Sequence, residues 1–221
     1  MSKVRILSTL AVMGAMREVA AQYDAAKIEA DFAPTVALLE RLRGGEAADI
    51  AILTTQGIDD LIAEGIVRAG TRTDIALSFV GIAVKAGAPK PDISSVAAFK
   101  ATLLAARTIA YSRIGASGIF FATLLDRLGL ADTAKTLVVP SGFTAERLVT
   151  GEADLAVQQI SELMMVPGIE VVGPLPSEIQ TVATFSAGLL TQSVQAAALL
   201  RFLASPAVAP VLRRTGLEPA G

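Results

Sequence analysis

The sequence contains neither cysteine nor histidine in 221 residues. These absences exclude thiol nucleophiles, Ser-His-Asp triads, zinc centres of the Cys/His type and haem or iron–sulfur ligation by those residues. Any catalysis must use carboxylates, Lys, Arg, Tyr or bound water. The lack of cysteine leaves the redox compartment open, because reducing and oxidising locations both tolerate it. Tryptophan is also absent and aromatics are 5%, so a chain that is 52% hydrophobic must build its core from Ala, Leu, Val and Ile. A net charge of −2 gives no electrostatic reason to expect nucleic acid or an acidic membrane as partner. No uninterrupted apolar run reaches the ~18 residues of a membrane span, so no membrane insertion is expected. Lys3 and Arg5 ahead of the apolar run Ile6 to Ala15 have the outline of a secretion signal. The same residues read better as a first strand followed by an amphipathic helix, which cleavage would destroy. As written, the chain is expected to lack an export signal and to be cytoplasmic, or periplasmic if a leader is missing from it.

What is present is a repeat, and it organises the chain. Pro34-Thr35 is followed by Glu40-Arg41-Leu42 and Gly45-Glu46-Ala47, then Asp49-Ile50-Ala51. Pro140-Ser141 is followed by Glu146-Arg147-Leu148 and Gly151-Glu152-Ala153, then Asp154-Leu155-Ala156. Two copies so far apart do not make a solenoid; they predict two similar lobes. Each copy reads as strand, helix, strand, the crossover unit of a parallel sheet. Thr35, and Ser141 or Thr144, are placed to cap the helices, and Gly45 and Gly151 to end them. Ligands collect where helix N-termini meet strand C-termini, so the repeat predicts two anion-friendly helix ends, one per lobe.

The strand and helix alternation predicts an α/β protein of two Rossmann-like lobes. Lobe I is residues 1–81 and 179–221, and lobe II is the insertion 82–178. Two connecting strands form a hinge, with a ligand site expected between the lobes. The loop Ser112 to Gly118 follows a strand and opens a helix, so its free N–H groups and Ser117 suit an anion. It is not a nucleotide phosphate loop, for no Lys follows Gly118. Arg113 in that loop offers a counter-charge to a carboxylate or oxyanion. Gln158-Gln159, two amides ending an apolar strand, predict a polar pocket or hinge in preference to interior bonding. Ser161-Glu162 reads as a helix start, Tyr111 as core, and the two Glu-Arg pairs as solvated helix faces. No cofactor and no metal site is expected.

Several of these residues carry a resemblance to the periplasmic molybdate-binding-protein-like solute receptors, whose fold is the type II periplasmic-binding fold. It rests on Ile6-Leu7-Ser8, Ala15-Met16, Phe32-Ala33, the helix from Thr35 to Asp49, Ala116-Ser117-Gly118-Ile119 and Gly151-Glu152-Ala153-Asp154. Gln158 to Leu163 and Gly173-Pro174-Leu175-Pro176 look like a branch not committed to molybdate. The resemblance implies the substrate-binding component of an ABC importer, monomeric and partnered by a permease. Its ligand would be a small anion, an oxyanion such as molybdate or a small organic carboxylate. The family's first hydroxyl falls at Ala11, with Thr9 as a nearby substitute. The second falls at Thr35, and the backbone donor of lobe II falls at Ser117. The family's tyrosine is replaced by Gln158. Two alternatives on the same scaffold stay open: an isomerase of a small polycarboxylate, needing a carboxylate, Lys or Tyr111 to move the proton, and a ligand-sensing regulatory domain.

Overall fold

A computed structural model describes residues 2–221. In chain order the elements are β1 (Lys3–Thr9), α1 (Met13–Gln22), β2 (Lys27–Ala33), α2 (Thr35–Arg43), β3 (Ile50–Thr54), α3 (Thr55–Ala63) and β4 (Thr73–Lys85). There follow α4 (Val96–Ala105), β5 (Ile109–Tyr111), α5 (Ala116–Leu128), β6 (Thr136–Val138), α6 (Glu146–Val149), β7 (Leu155–Gln159), α7 (Ile160–Leu163) and β8 (Ile169–Pro174). The chain closes with β9 (Val182–Leu189), α8 (Val194–Leu203), α9 (Ala209–Arg214) and β10 (Glu218–Pro219). It divides into two compact units, residues 1–78 with 183–221, and residues 79–182.

In the first unit β1 lies between β2 and β3, all parallel, and β9 runs antiparallel to β3. Alternation along β3 shows why both sheet faces are covered. Ile50 and Ile52 pack with Val12, Met16 and Val19 and with Leu199 and Leu203 of α8. Ala51 and Leu53 point the other way, onto Leu38 and Leu42 of α2 and Ile58 and Leu61 of α3. The second unit repeats the arrangement: β5 lies between β6 and β7, again parallel, with the far half of β4 antiparallel to β7. Leu155 and Val157 meet Phe99 and Phe121 on one face. Ala156 meets Leu148 and Leu163 on the other.

The sequence repeat encodes one structural device used twice. Arg41 pairs with Glu46, and Arg147 with Glu152, each five residues on. Gly45 and Gly151 turn the chain at φ 80° and 77°, which glycine adopts without strain. Asp49 then accepts the Arg5 N–H at 2.9 Å, and Asp154 the Arg107 N–H at 2.8 Å, tying each new strand to its neighbour. The Arg residues therefore staple the turn and are not idle surface charges. The Arg107 guanidinium holds the Asp154 carboxyl below its ordinary range. A lowered folded-state pKa stabilises above the unfolded value near 3.9 and loses that effect as pH falls through the folded value. We expect Asp154→Ala to cost about 1 kcal/mol at pH 7, since partial exposure screens the bond. In urea denaturation the difference from wild type should shrink towards pH 3.

The repeat is broken at its second helix. The helix of the second copy is only the four residues of α6, because Thr144 is fixed by side-chain bonds described below. The first helix of the chain is delayed by a 3-10 turn, Leu10–Val12, and β10 was too short to be read from pattern. Among the described residues no single helix is long and apolar enough to cross a membrane.

Candidate functional site

Each unit presents helix N-termini at the C-terminal edge of its parallel strands. In the first unit, Thr9 ends β1 beside Ala33, which ends β2. Thr9 Oγ1 accepts the Ala11 N–H at 3.5 Å, so its hydroxyl oxygen caps the 3-10 turn. Ala11 is buried and offers only backbone. Thr35 is the first residue of α2, not its cap. The cap position is Pro34, which has no side-chain donor or acceptor to give, and the first intrahelical bond is Leu38 N–H to Pro34 carbonyl. The N–H groups of Thr35, Val36 and Ala37 are thus left for something outside the helix, with the Thr35 hydroxyl beside them.

In the second unit the open end is α5. Gly115 caps it without a side chain, and Gly118 N–H and Ile119 N–H turn back to the Gly115 carbonyl. The Ala116 and Ser117 N–H groups remain for an outside partner, with the buried Ser117 next to them. Gly118 is there for packing: a Cβ on it would stand 1.3 Å from the Ser112 carbonyl oxygen. Arg113 in the preceding loop is exposed and donates its Nε–H to the Tyr111 hydroxyl at 2.8 Å. No carboxylate among the described residues pairs with it, so most of its charge is available to a ligand. Tyr111 is core, packed edge-on against Phe121.

The helix end that the repeat put forward in this unit is closed from inside. Gln158 Oε1 accepts the Thr144 N–H at 2.8 Å and the Thr144 hydroxyl at 3.0 Å. Its amide also hydrogen-bonds the carboxylate of Glu162. Gln158 is therefore satisfied in the interior, against the expectation of a pocket-facing amide, and the helix ends left with open N–H groups are those of α2 and α5. Glu162 also accepts the Gln159 N–H at 3.3 Å, in a reciprocal capping box with Gln159. It is buried, and loss of water pushes its carboxyl up to about 7. The reading of Ser161-Glu162 as a helix start holds, but it missed this burial. The signal was the three-residue spacing from Gln159 to Glu162 after an apolar strand.

Residues 4–218 match the family described as bacterial extracellular solute-binding protein. The chain belongs to that family. Among solved structures it is similar to the periplasmic molybdate-binding protein of Azotobacter vinelandii, at 15% identity and a TM-score of 0.81, covering 97% of this chain and 98% of that one. It is similar also to the tungstate-binding protein TupA of Desulfovibrio alaskensis, at 14% identity and a TM-score of 0.70 over the whole of both chains. At such identities the likeness establishes the fold, the type II periplasmic-binding fold of solute receptors. Among curated proteins an aconitate isomerase from a Pseudomonas species is 37% identical, across 97% of this chain and 87% of that protein.

Proposed function

We propose that this family member binds a small polycarboxylate at an open helix N-terminus such as that of α5 and interconverts the geometric isomers of aconitate. The observation that carries this reading is the 37% identity to an aconitate isomerase, which runs nearly end to end. The oxyanion receptors share the fold at 14–15%. The residues support a carboxylate: Ala11 offers no hydroxyl, and Arg113 has a planar guanidinium free for a bidentate carboxylate contact. The chemistry asks for no cofactor. A base takes a proton from the methylene carbon, the double bond moves along one carbon, and the proton returns to the former vinylic carbon. With no histidine present, a carboxylate, a Lys or Tyr111 must carry that proton.

A second reading, favoured by the family itself, is a receptor that hands a small anion to an ABC permease. A thermal-shift screen followed by NMR separates the two. A carboxylate present at a hundred times its Kd adds about 2.7 kcal/mol, a rise of roughly 5–10 °C for a chain of this size. We expect cis- and trans-aconitate to give that shift and proton NMR to show one turning into the other. Arg113→Ala should weaken binding about tenfold, the loss of one charged contact. Stabilisation by molybdate, tungstate or sulfate alone would sink the isomerase reading in favour of the receptor. Binding of aconitate without turnover would leave the receptor reading with a carboxylate ligand.

A further inference from the structure

We propose that Glu162 takes up a proton when an anion binds at the open end of α5, so that ligand and proton enter this unit together. The inference rests on the anion-binding reading above and concerns a residue outside the expected ligand set. β5 and β7 are parallel neighbours, with Ile109 opposite Leu155 and Ala110 opposite Ala156. Continuing that register sets Ser112, which opens the α5 loop, level with Gln158. Paired neighbouring strands lie about 4.8 Å apart, and from that spacing we place an anion at α5 on the order of 10 Å from the α7 capping box. Glu162 sits in that box as the one buried carboxylate among the described residues, held only by the Gln159 N–H and the Gln158 amide.

Among the described residues no cation pairs with it. Lys85 on β4 is bonded to the Val149 carbonyl, and Glu170 on β8 holds Gly87 N–H and Lys90. Arg147 on α6 pairs with Glu152, Glu146 of the same helix makes no bond to Glu162, and Arg113 beside α5 donates to Tyr111. Arg113 offsets one charge of an anion at this edge, and the remaining negative charge of a polycarboxylate acts on Glu162 and favours its neutral form. Burial has already poised the carboxyl near neutrality, so a modest field suffices to move it. The chain has no histidine and no cysteine side chain to titrate between pH 6 and 8.

The test uses tricarballylate, the saturated tricarboxylate that cannot isomerise, as the calorimetric probe. Binding heats are measured at pH 7 in two buffers of different ionisation enthalpy, for the full chain and for Glu162→Gln. Wild type should take up about half a proton more than the variant, because about half its molecules already carry one. In wild type alone, affinity should fall several-fold from pH 7 to pH 8, a readout that does not depend on the variant folding. Equal proton counts in the two proteins, or a flat wild-type profile, would overturn the inference while leaving anion binding intact. If tricarballylate and both aconitates give no binding heat, the proposed function fails, and this inference with it.

Discussion

Gly118→Ala should destabilise the protein by at least about 3 kcal/mol and lower Tm by roughly 10 °C in a thermal melt. The added Cβ would lie 1.3 Å from the Ser112 carbonyl oxygen, 2.4 Å from its carbon and 3.1 Å from its nitrogen. These are backbone atoms, which cannot swing aside as the tip of a side chain would. The first turn of α5 must lift away from the loop that follows β5, and the open N–H groups of Ala116 and Ser117 move with it. Ligand binding should therefore fall together with stability. Gly115→Ala provides the control, since nothing lies within 4 Å of a Cβ there. It should melt within about 1 °C of wild type. Equal melting of the two variants would mean that α5 does not pack on Ser112 as described.

Gln158→Ala is expected to cost about 3–5 kcal/mol, read as a fall in the urea midpoint at pH 7. The change leaves the Thr144 N–H without its acceptor, and the buried Glu162 without the amide that hydrogen-bonds it. Each orphaned buried group costs about 1–3 kcal/mol, more when charged. The Thr144 hydroxyl keeps a weaker bond to the Val157 carbonyl at 3.3 Å, which limits the loss. The outcome separates two roles for this glutamine. A residue whose first duty is to touch ligand would leave stability unchanged on truncation and abolish binding. A residue that braces the interior, as the structure has it, gives the reverse order of effects.

Period and punctuation made the architecture legible before the structure. The apolar run Ile50 to Leu53, the glycines after each Arg-Leu pair, and the repeated Asp ahead of a strand led to parallel crossover units, and those are observed. The helix ends were harder to read, because a cap is decided by tertiary partners. Thr35 has the chemistry of a cap, but Pro34 occupies the cap position and leaves the hydroxyl spare. Thr144 has the same chemistry, and a glutamine fourteen residues later closes over it. Nothing local in Pro-Ser-Gly-Phe-Thr announces that partner. Glu162 was hidden for a related reason: sequence shows a carboxylate at the third position of a helix, a place usually wet, and burial follows only from what packs around it.

One small contact bears on how the second unit is threaded into the chain. The Gln180 side chain donates to the Val80 carbonyl at 2.9 Å and accepts the Val80 N–H at 3.2 Å, copying the two bonds of a strand partner. The segment 81–179 between them consequently leaves and rejoins at one point, like a bead clasped at its neck. Closing so long a loop carries an entropic cost that grows only logarithmically with length. Insertions or deletions inside the bead therefore change little at the clasp. That separation lets the inserted half diverge in length and ligand chemistry while the host half keeps its register, and it makes the neck the natural place to excise one half or graft in another.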